Sequence, residues 1–425
     1  ARGLQAYVRN DSEIAAIDAA IDDLTQTLQV TPDDSEVVML KSDLLYLKAA
    51  RAYREARRPD GDAFLASSIE VIDTALAQTP NKSDLLLSKI QRTMDKTRAE
   101  LAGVTEQSVL RERSIQVRPI VLPLLDAAKQ SAIDSKGASV DATLVQRMMA
   151  FEENLDPGAR FARSEEMARA ALTTRPNNAE LLQILGEIMA QRPDAANPGA
   201  HFAAAVDQMQ KVLDVESQGV GFDGLLLFSR KQVATFRQAL WSSRQALMLV
   251  PAATGPSAND QTKKALADAI ERAKTYRGKL LTVEAPDSPQ VTLVDAHLAV
   301  LDNDYRKANT LLVKYNKEAN SSDPDALLLT ADVALRLNQP GAARDAISRV
   351  IELQPANLNA IFVLGQIEMQ LQNFVRAREI YSRILEMIPD NEIAKRQLQT
   401  IAMIESGQGS ADIGASDGSL VGSSD

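Results

Sequence analysis

The stretch PDALLLTADVALRLNQPGAARDAISRVIELQPAN, residues 324–357, runs straight into LNAIFVLGQIEMQLQNFVRAREIYSRILEMIPDN, residues 358–391, and the two align at a period of thirty-four. Position 8 of that period is Ala331 and then Gly365, and position 20 is Ala343 and then Ala377. Position 24 is large, Ile347 and then Tyr381, and position 32 is Pro355 and then Pro389. Small residues let two antiparallel helices approach to about 8–10 Å. Large ones fill the space beside them, and proline stops the second helix before the next unit. A period of this length signals stacked helix-turn-helix units, which are binding surfaces more often than reaction vessels.

A third unit precedes these two, with Ala296, Ala308 and Leu312 in the corresponding places and a polar break, Asn320-Ser-Ser, in place of the proline. The three units, about residues 289–391, resemble the tetratricopeptide-repeat family, whose unit is one such helix pair. Gly365, Ala377, Tyr381 and Pro389 match its signature. Ile361 stands where the family often has tryptophan, and Val350 and Ile384 replace a usual alanine. The resemblance implies an all-α, right-handed α-solenoid.

Upstream the period loosens. Ala20, Leu24 and Pro32 read as one closing half-unit, and Ser68, Ile72, Ala75 and Pro80 as another. The two prolines are forty-eight residues apart, and the extra fourteen are assigned to a loop at Arg57–Asp62. Ser164, Ala168, Ala171 and Pro176 close a third, and Leu182, Leu185 and Gly186 open a fourth with a long loop over 191–199. Residues 105–138 and 217–284 read as helical without a clear match. The expected total is seven or eight antiparallel helix pairs. The expected divisions are degenerate repeats over 1–104, irregular helical repeats with long loops over 105–284, three regular units and a capping helix over 285–405, and a flexible Ser/Gly/Asp-rich tail or linker over 406–425.

Composition agrees with this reading. A globular chain of 425 residues splits into several cores, whereas a solenoid does not need to, because each unit touches only its neighbours. Aromatic residues are only 4%, which suits helices packed through small side chains. The net charge of −10 opposes a phosphate-binding, nucleic-acid role. Cysteine is absent, so disulfides, thiol nucleophiles and thiolate metal sites are excluded. No run of eighteen apolar residues exists, so direct membrane insertion by this chain is not expected. Ala1–Arg9 already reads as the opening helix of a repeat, so the chain reads as a fragment or processed form. The compartment, cytoplasmic or periplasmic/exported, stays open.

Catalytic signals are weak. Gly219, Gly221 and Gly224 satisfy a GxGxxG spacing, but the preceding residues 206–215 read as helix where a dinucleotide site needs a strand. His201 and His297 are the two histidines, and neither has a histidine partner at helical spacing. His201 reads as a solvated loop residue and His297 as a polar groove residue. Asp302-Asn-Asp304 lacks the glycine and distal glutamate of a calcium loop. No catalytic residue, metal site or cofactor is expected.

In the family that this chain resembles, positions 2, 5, 9, 12 and 13 of the first helix line a concave groove. Positions 2, 5, 9 and 12 recur at helical spacing, so they form one stripe. Here the stripe reads Gln290, Leu293, His297 and Val300, then Asp325, Leu328, Asp332 and Leu335, then Asn359, Phe362, Gln366 and Met369. Position 13 adds Leu301, Arg336 and Gln370. Leucine and phenylalanine at position 5 exclude the carboxylate clamp that some members use. The stripe suits an apolar helix or extended peptide, with Phe362 and Met369 as anchors. Glu36, Asp43, Glu180 and Glu187 fall at positions 2 and 9 upstream; with Asp325 and Asp332 they make an acidic ribbon for a partner with basic residues. The expected function is a non-catalytic scaffold for another protein or peptide. The alternatives are a component of a bacterial envelope or secretion assembly, and an adaptor part of a longer chain with a catalytic domain elsewhere.

Overall fold

A computed structural model of the chain describes residues 11–406 apart from 101–106, 139, 157–158, 160, 193–196, 198, 219–223, 319–321, 355–356 and 389. Among the described residues there are eighteen α-helices and no strand. The expected opening helix over 1–9 and the tail over 407–425 lie outside the described residues, as do Pro355 and Pro389. The chain divides into two compact units, one ending at Ile188 and the other beginning at Met189.

The first unit holds α1 (Asp11–Val30), α2 (Ser35–Arg54), α3 (Arg58–Gln78), α4 (Ser83–Glu100) and α5 (Gln107–Asp134). It continues with α6 (Ala142–Leu155), α7 (Ala162–Thr174) and most of α8 (Ala179–Ala190). α2 packs on α3, α4 on α5 and α6 on α7, so each pair is a hairpin. The expected loop at Arg57–Asp62 is not a loop. The chain turns within residues 55–57 and Arg58 already begins α3. α2 has 20 residues and α3 has 21, against 13 and 14 in the regular pair Pro324–Arg336 and Pro340–Leu353. The fourteen extra residues are therefore two additional turns on each helix, which lengthens the hairpin and keeps its register. Pro59 does not interrupt α3 because it lies in the first turn, where no intrahelical donor is needed.

The second unit holds α9 (Ala200–Gln218), α10 (Gly224–Thr254), α11 (Asp260–Leu280), α12 (Pro289–Leu301) and α13 (Tyr305–Glu318). α14 (Pro324–Arg336), α15 (Pro340–Leu353), α16 (Leu358–Gln370), α17 (Phe374–Met387) and α18 (Glu392–Glu405) follow. The regular units are the hairpins α12/α13, α14/α15 and α16/α17, with α18 packed on α17 as the capping helix. α10 packs against α9, α11 and α12.

Two local devices repeat with the period. Each first helix begins on a side chain that accepts a backbone N–H bond: Ser288, Asp323 and Asn357, and then Asn391 before α18. Each inner turn passes through one left-handed residue, Asn303, Asn338 or Gln372, with φ of 60°, 57° and 59°. The next residue, Asp304, Gln339 or Asn373, donates its N–H to the carbonyl of Ala299, Ala334 or Glu368 at 2.8 Å, which closes the first helix. The α2/α3 turn is built the same way, with Ala56 at φ 57° and Arg57 bonded to the Ala52 carbonyl at 2.8 Å.

Packing follows from the small and large positions. Ala308, Ala331, Ala343, Ala377 and Tyr381 have no exposed surface, and Ile347 has 1%. Ala331, Ala343 and Ile347 share one buried cluster with Val350, Ala360 and Ile367. Ile361, Ala377 and Tyr381 share the next with Ile384, Ala394 and Ile401, which carries the core into α18. A Cβ added at Gly365 would lie 2.8 Å from the Tyr381 ring, so the position has no room for a larger residue.

Candidate functional site

The stripe residues of the second unit do not share one environment. On α12, Leu293, His297 and Val300 are buried, and α10 packs against this helix. On α14, Asp325 and Arg336 are exposed, Leu328 and Leu335 are half-buried, and Asp332 is buried. On α16, Gln366 and Gln370 are exposed and Phe362 and Met369 are half-buried. Both of these apolar residues pack on the cluster of α16, α17 and α18, and the Phe362 ring meets the Tyr381 ring edge-on at 5.7 Å between centroids.

Five stripe residues, His297, Asp325, Leu328, Asp332 and Asn359, border a cavity of about 280 Å³. The regular units also supply Leu329, Ala331, Ile347 and Val363. The remaining border comes from outside them: Phe202 on α9, and Arg244, Leu247 and Met248 on α10. Leu293, Val300, Leu335, Arg336, Phe362, Gln366, Met369 and Gln370 do not border the cavity.

Three carboxylates of the expected acidic ribbon, Asp325, Asp332 and Asp43, carry their own cations. Asp325 pairs with Arg244 at 2.9 Å and Asp332 with Arg336 at 2.9 Å. Arg336 in turn lies over the Tyr305 ring, 5.2 Å from its centroid. In the first unit Asp43 pairs with the buried Arg92, which also holds Asp95 at 3.0 Å. Glu36 and Glu180 are exposed and Glu187 is half-buried.

His297 Nδ1 donates to the Leu293 carbonyl at 3.0 Å, one helical turn back, which leaves Nε2 as an acceptor. Burial, reinforced by the Arg244 charge, pushes its pKa down to about 3, so the ring is neutral at physiological pH. His201 departs from its expected place in a solvated loop. It lies in the first turn of α9, half-buried, with its ring 4.1 Å from that of Phe202. The helix begins at Ala200, directly after Gly199 at φ 83°. Residues 219–223 of the glycine spacing lie outside the described residues, and the flanking elements, α9 and α10, are both helices. Among the described residues no cluster of His, Asp and Glu could hold a metal ion, and no helix is long and apolar enough to cross a membrane.

Sequence reasoning missed Phe202, Arg244, Leu247 and Met248. They fall in the stretches without a repeat match, where apolar spacing indicates a helix but not what it faces. The caps Asp323 and Asn357 also went unread, although Asx or Ser recurs just before each first helix.

A tetratricopeptide-repeat family model matches residues 328–392. No curated protein matches the chain. Among solved structures, a tetratricopeptide repeat protein from Parabacteroides merdae ATCC 43184 is similar at 13% identity and a TM-score of 0.40, over 74% of this chain and 98% of that one. Yeast Tom70 is similar at 13% identity and a TM-score of 0.34, over 93% of each chain. The human IFIT1 dimer with m7Gppp-AAAA is similar at 12% identity and a TM-score of 0.33, over 87% of this chain and 77% of that one. The matched residues run from α14 into α18, through the capped hairpins whose small and large positions interlock as the period requires. Over residues 328–392 the chain carries tetratricopeptide repeats.

Proposed function

We propose that the second unit binds a segment of a partner protein along the stripe of α14 and α16, as a scaffold that catalyses no reaction. Tetratricopeptide repeats serve in general as protein-interaction scaffolds. The observation that carries the reading here is the cavity of about 280 Å³, which opens among the stripe residues and is walled mainly by Leu, Ile, Val, Met and Phe side chains. Apolar concavities with a few fixed polar groups are where extended segments and amphipathic helices find anchor sites.

The test is to pan a random dodecapeptide library on the full chain and measure the enriched peptides by fluorescence polarisation. Binding is expected to fall at least about tenfold in Leu328→Glu, which puts a charge into the cavity border. It is expected to stay unchanged in Val313→Glu, on an exposed position of α13. Circular dichroism controls for folding of both variants. Enriched peptides that bind Leu328→Glu as well as the parent would overturn the reading.

A further inference from the structure

The cavity has one wall that no regular unit contributes, and its charges are unequal. Phe202, Leu247 and Met248 supply apolar border to it alongside Leu328 and Val363 of the regular units. A space of about 280 Å³ admits a leucine, phenylalanine or tryptophan side chain, and the Met248 thioether adapts to either an aliphatic or an aromatic shape. Around this space stand one cation, Arg244, and two carboxylates, Asp325 and Asp332. Arg336, which neutralises Asp332, does not border the cavity. The Asp325 side chain is 59% exposed, so its carboxylate meets solvent while holding Arg244. His297 is neutral and adds no positive charge.

From this geometry we infer that the cavity is an anchor site for a bulky apolar side chain carried beside a lysine or arginine on the bound segment, an inference that rests on the stripe being a peptide-binding surface. The apolar side chain displaces water from the Phe202, Leu247 and Met248 wall. The neighbouring cation meets the exposed Asp325 carboxylate, whereas an acidic neighbour would find Arg244 largely covered and, like Arg336, already engaged by an aspartate. Specificity comes from that asymmetry, because an apolar pocket alone discriminates weakly among residues of similar size.

The experiment uses the full chain and the same dodecapeptide library, with Asn359→Trp as the blocking variant. Asn359 borders the cavity from an exposed position, so the substitution obstructs the opening without entering the core. Met248→Trp, which fills the space from the α10 side, is the second blocking variant. Enriched peptides are expected to share a Leu, Phe, Met or Trp within two positions of Lys or Arg. Either blocking variant is expected to weaken them at least about tenfold. The pair Asp325→Asn and Asp332→Asn is expected to weaken them about three- to tenfold and to flatten the salt dependence. Peptides whose apolar residue is needed but whose Lys can become Glu without loss overturn the assignment of the basic neighbour. Peptides that lose affinity in Leu335→Glu or Phe362→Ala yet ignore both blocking variants overturn the anchor site and leave the stripe standing. Peptides indifferent to every one of these substitutions overturn the stripe as well.

Discussion

Gly365 faces a ring that cannot retreat, because Tyr381 is wholly buried and its atoms stand 2.8–3.1 Å from where a Cβ would go. Gly365→Ala is therefore expected to destabilise the second unit by roughly 1–3 kcal/mol in urea denaturation. Gly341, in the first turn of α15, has nothing within 4 Å of its added Cβ. Gly341→Ala is expected to be neutral or to stabilise by up to about 1 kcal/mol. Asn373 shows why turn position alone misjudges a residue. A polar residue in an inner turn ordinarily costs little to truncate. In the structure Asn373 Nδ2 donates to Glu368 Oε2 at 2.9 Å, and the Glu368 side chain is fully buried. Asn373→Ala removes a donor from a buried carboxylate and is expected to cost about 1–3 kcal/mol, within the range of Gly365→Ala. His297 gives a pH signature. Its folded pKa of about 3 lies below the ordinary 6.5, so the unfolded chain takes up the proton first as pH falls. The stability it contributes is complete above about pH 6.5 and is lost as pH falls toward 3. Arg244 on α10 and Asp325 on α14 are the charged groups that act on it. His297→Gln is expected to show a shallower fall in stability between those limits, measured by urea denaturation across the pH series.

At the scale of the element, the repeating unit is held by devices local to each hairpin: an oxygen-bearing cap, a left-handed turn residue and a pair of small positions. Asn391 caps α18 by accepting the Ala394 N–H at 2.8 Å. Asn391→Ala is expected to cost about 1 kcal/mol, read as a lowered melting temperature, whereas Asn391→Gly should cost a few tenths. The small positions were legible in the sequence because they recur at the period, whereas the left-handed residues, two Asn and a Gln, were identified from the backbone alone. The α2/α3 hairpin was not read correctly. Arg57–Asp62 carries proline, glycine and aspartates, which are turn residues in most settings. Proline in a first turn and a close approach by glycine are equally compatible with helix. Gly61 is in fact a packing glycine, since a Cβ there would lie 2.7 Å from the Tyr53 ring. The composition of a short stretch cannot separate these cases, because the difference lies in what the partner helix presents.

Over the whole molecule, each hairpin is stabilised chiefly by its neighbours, so a defect should be felt locally. Ala377→Leu overpacks the cluster of α16, α17 and α18. It is expected to lower amide protection in those helices by roughly 1–3 kcal/mol while leaving α2 and α3 unchanged, by hydrogen exchange with mass spectrometry. The all-α hairpin architecture and the period of the regular units were determined by the sequence itself, because small and large residues recur at a spacing that suits stacked helix pairs. The tertiary structure alone decided that α9 and α10 wall a cavity against the stripe, that Arg244 takes up Asp325, and that the α12 stripe is buried. Those contacts join residues far apart along the chain, and their side chains follow no shared period, so nothing local records the pairing.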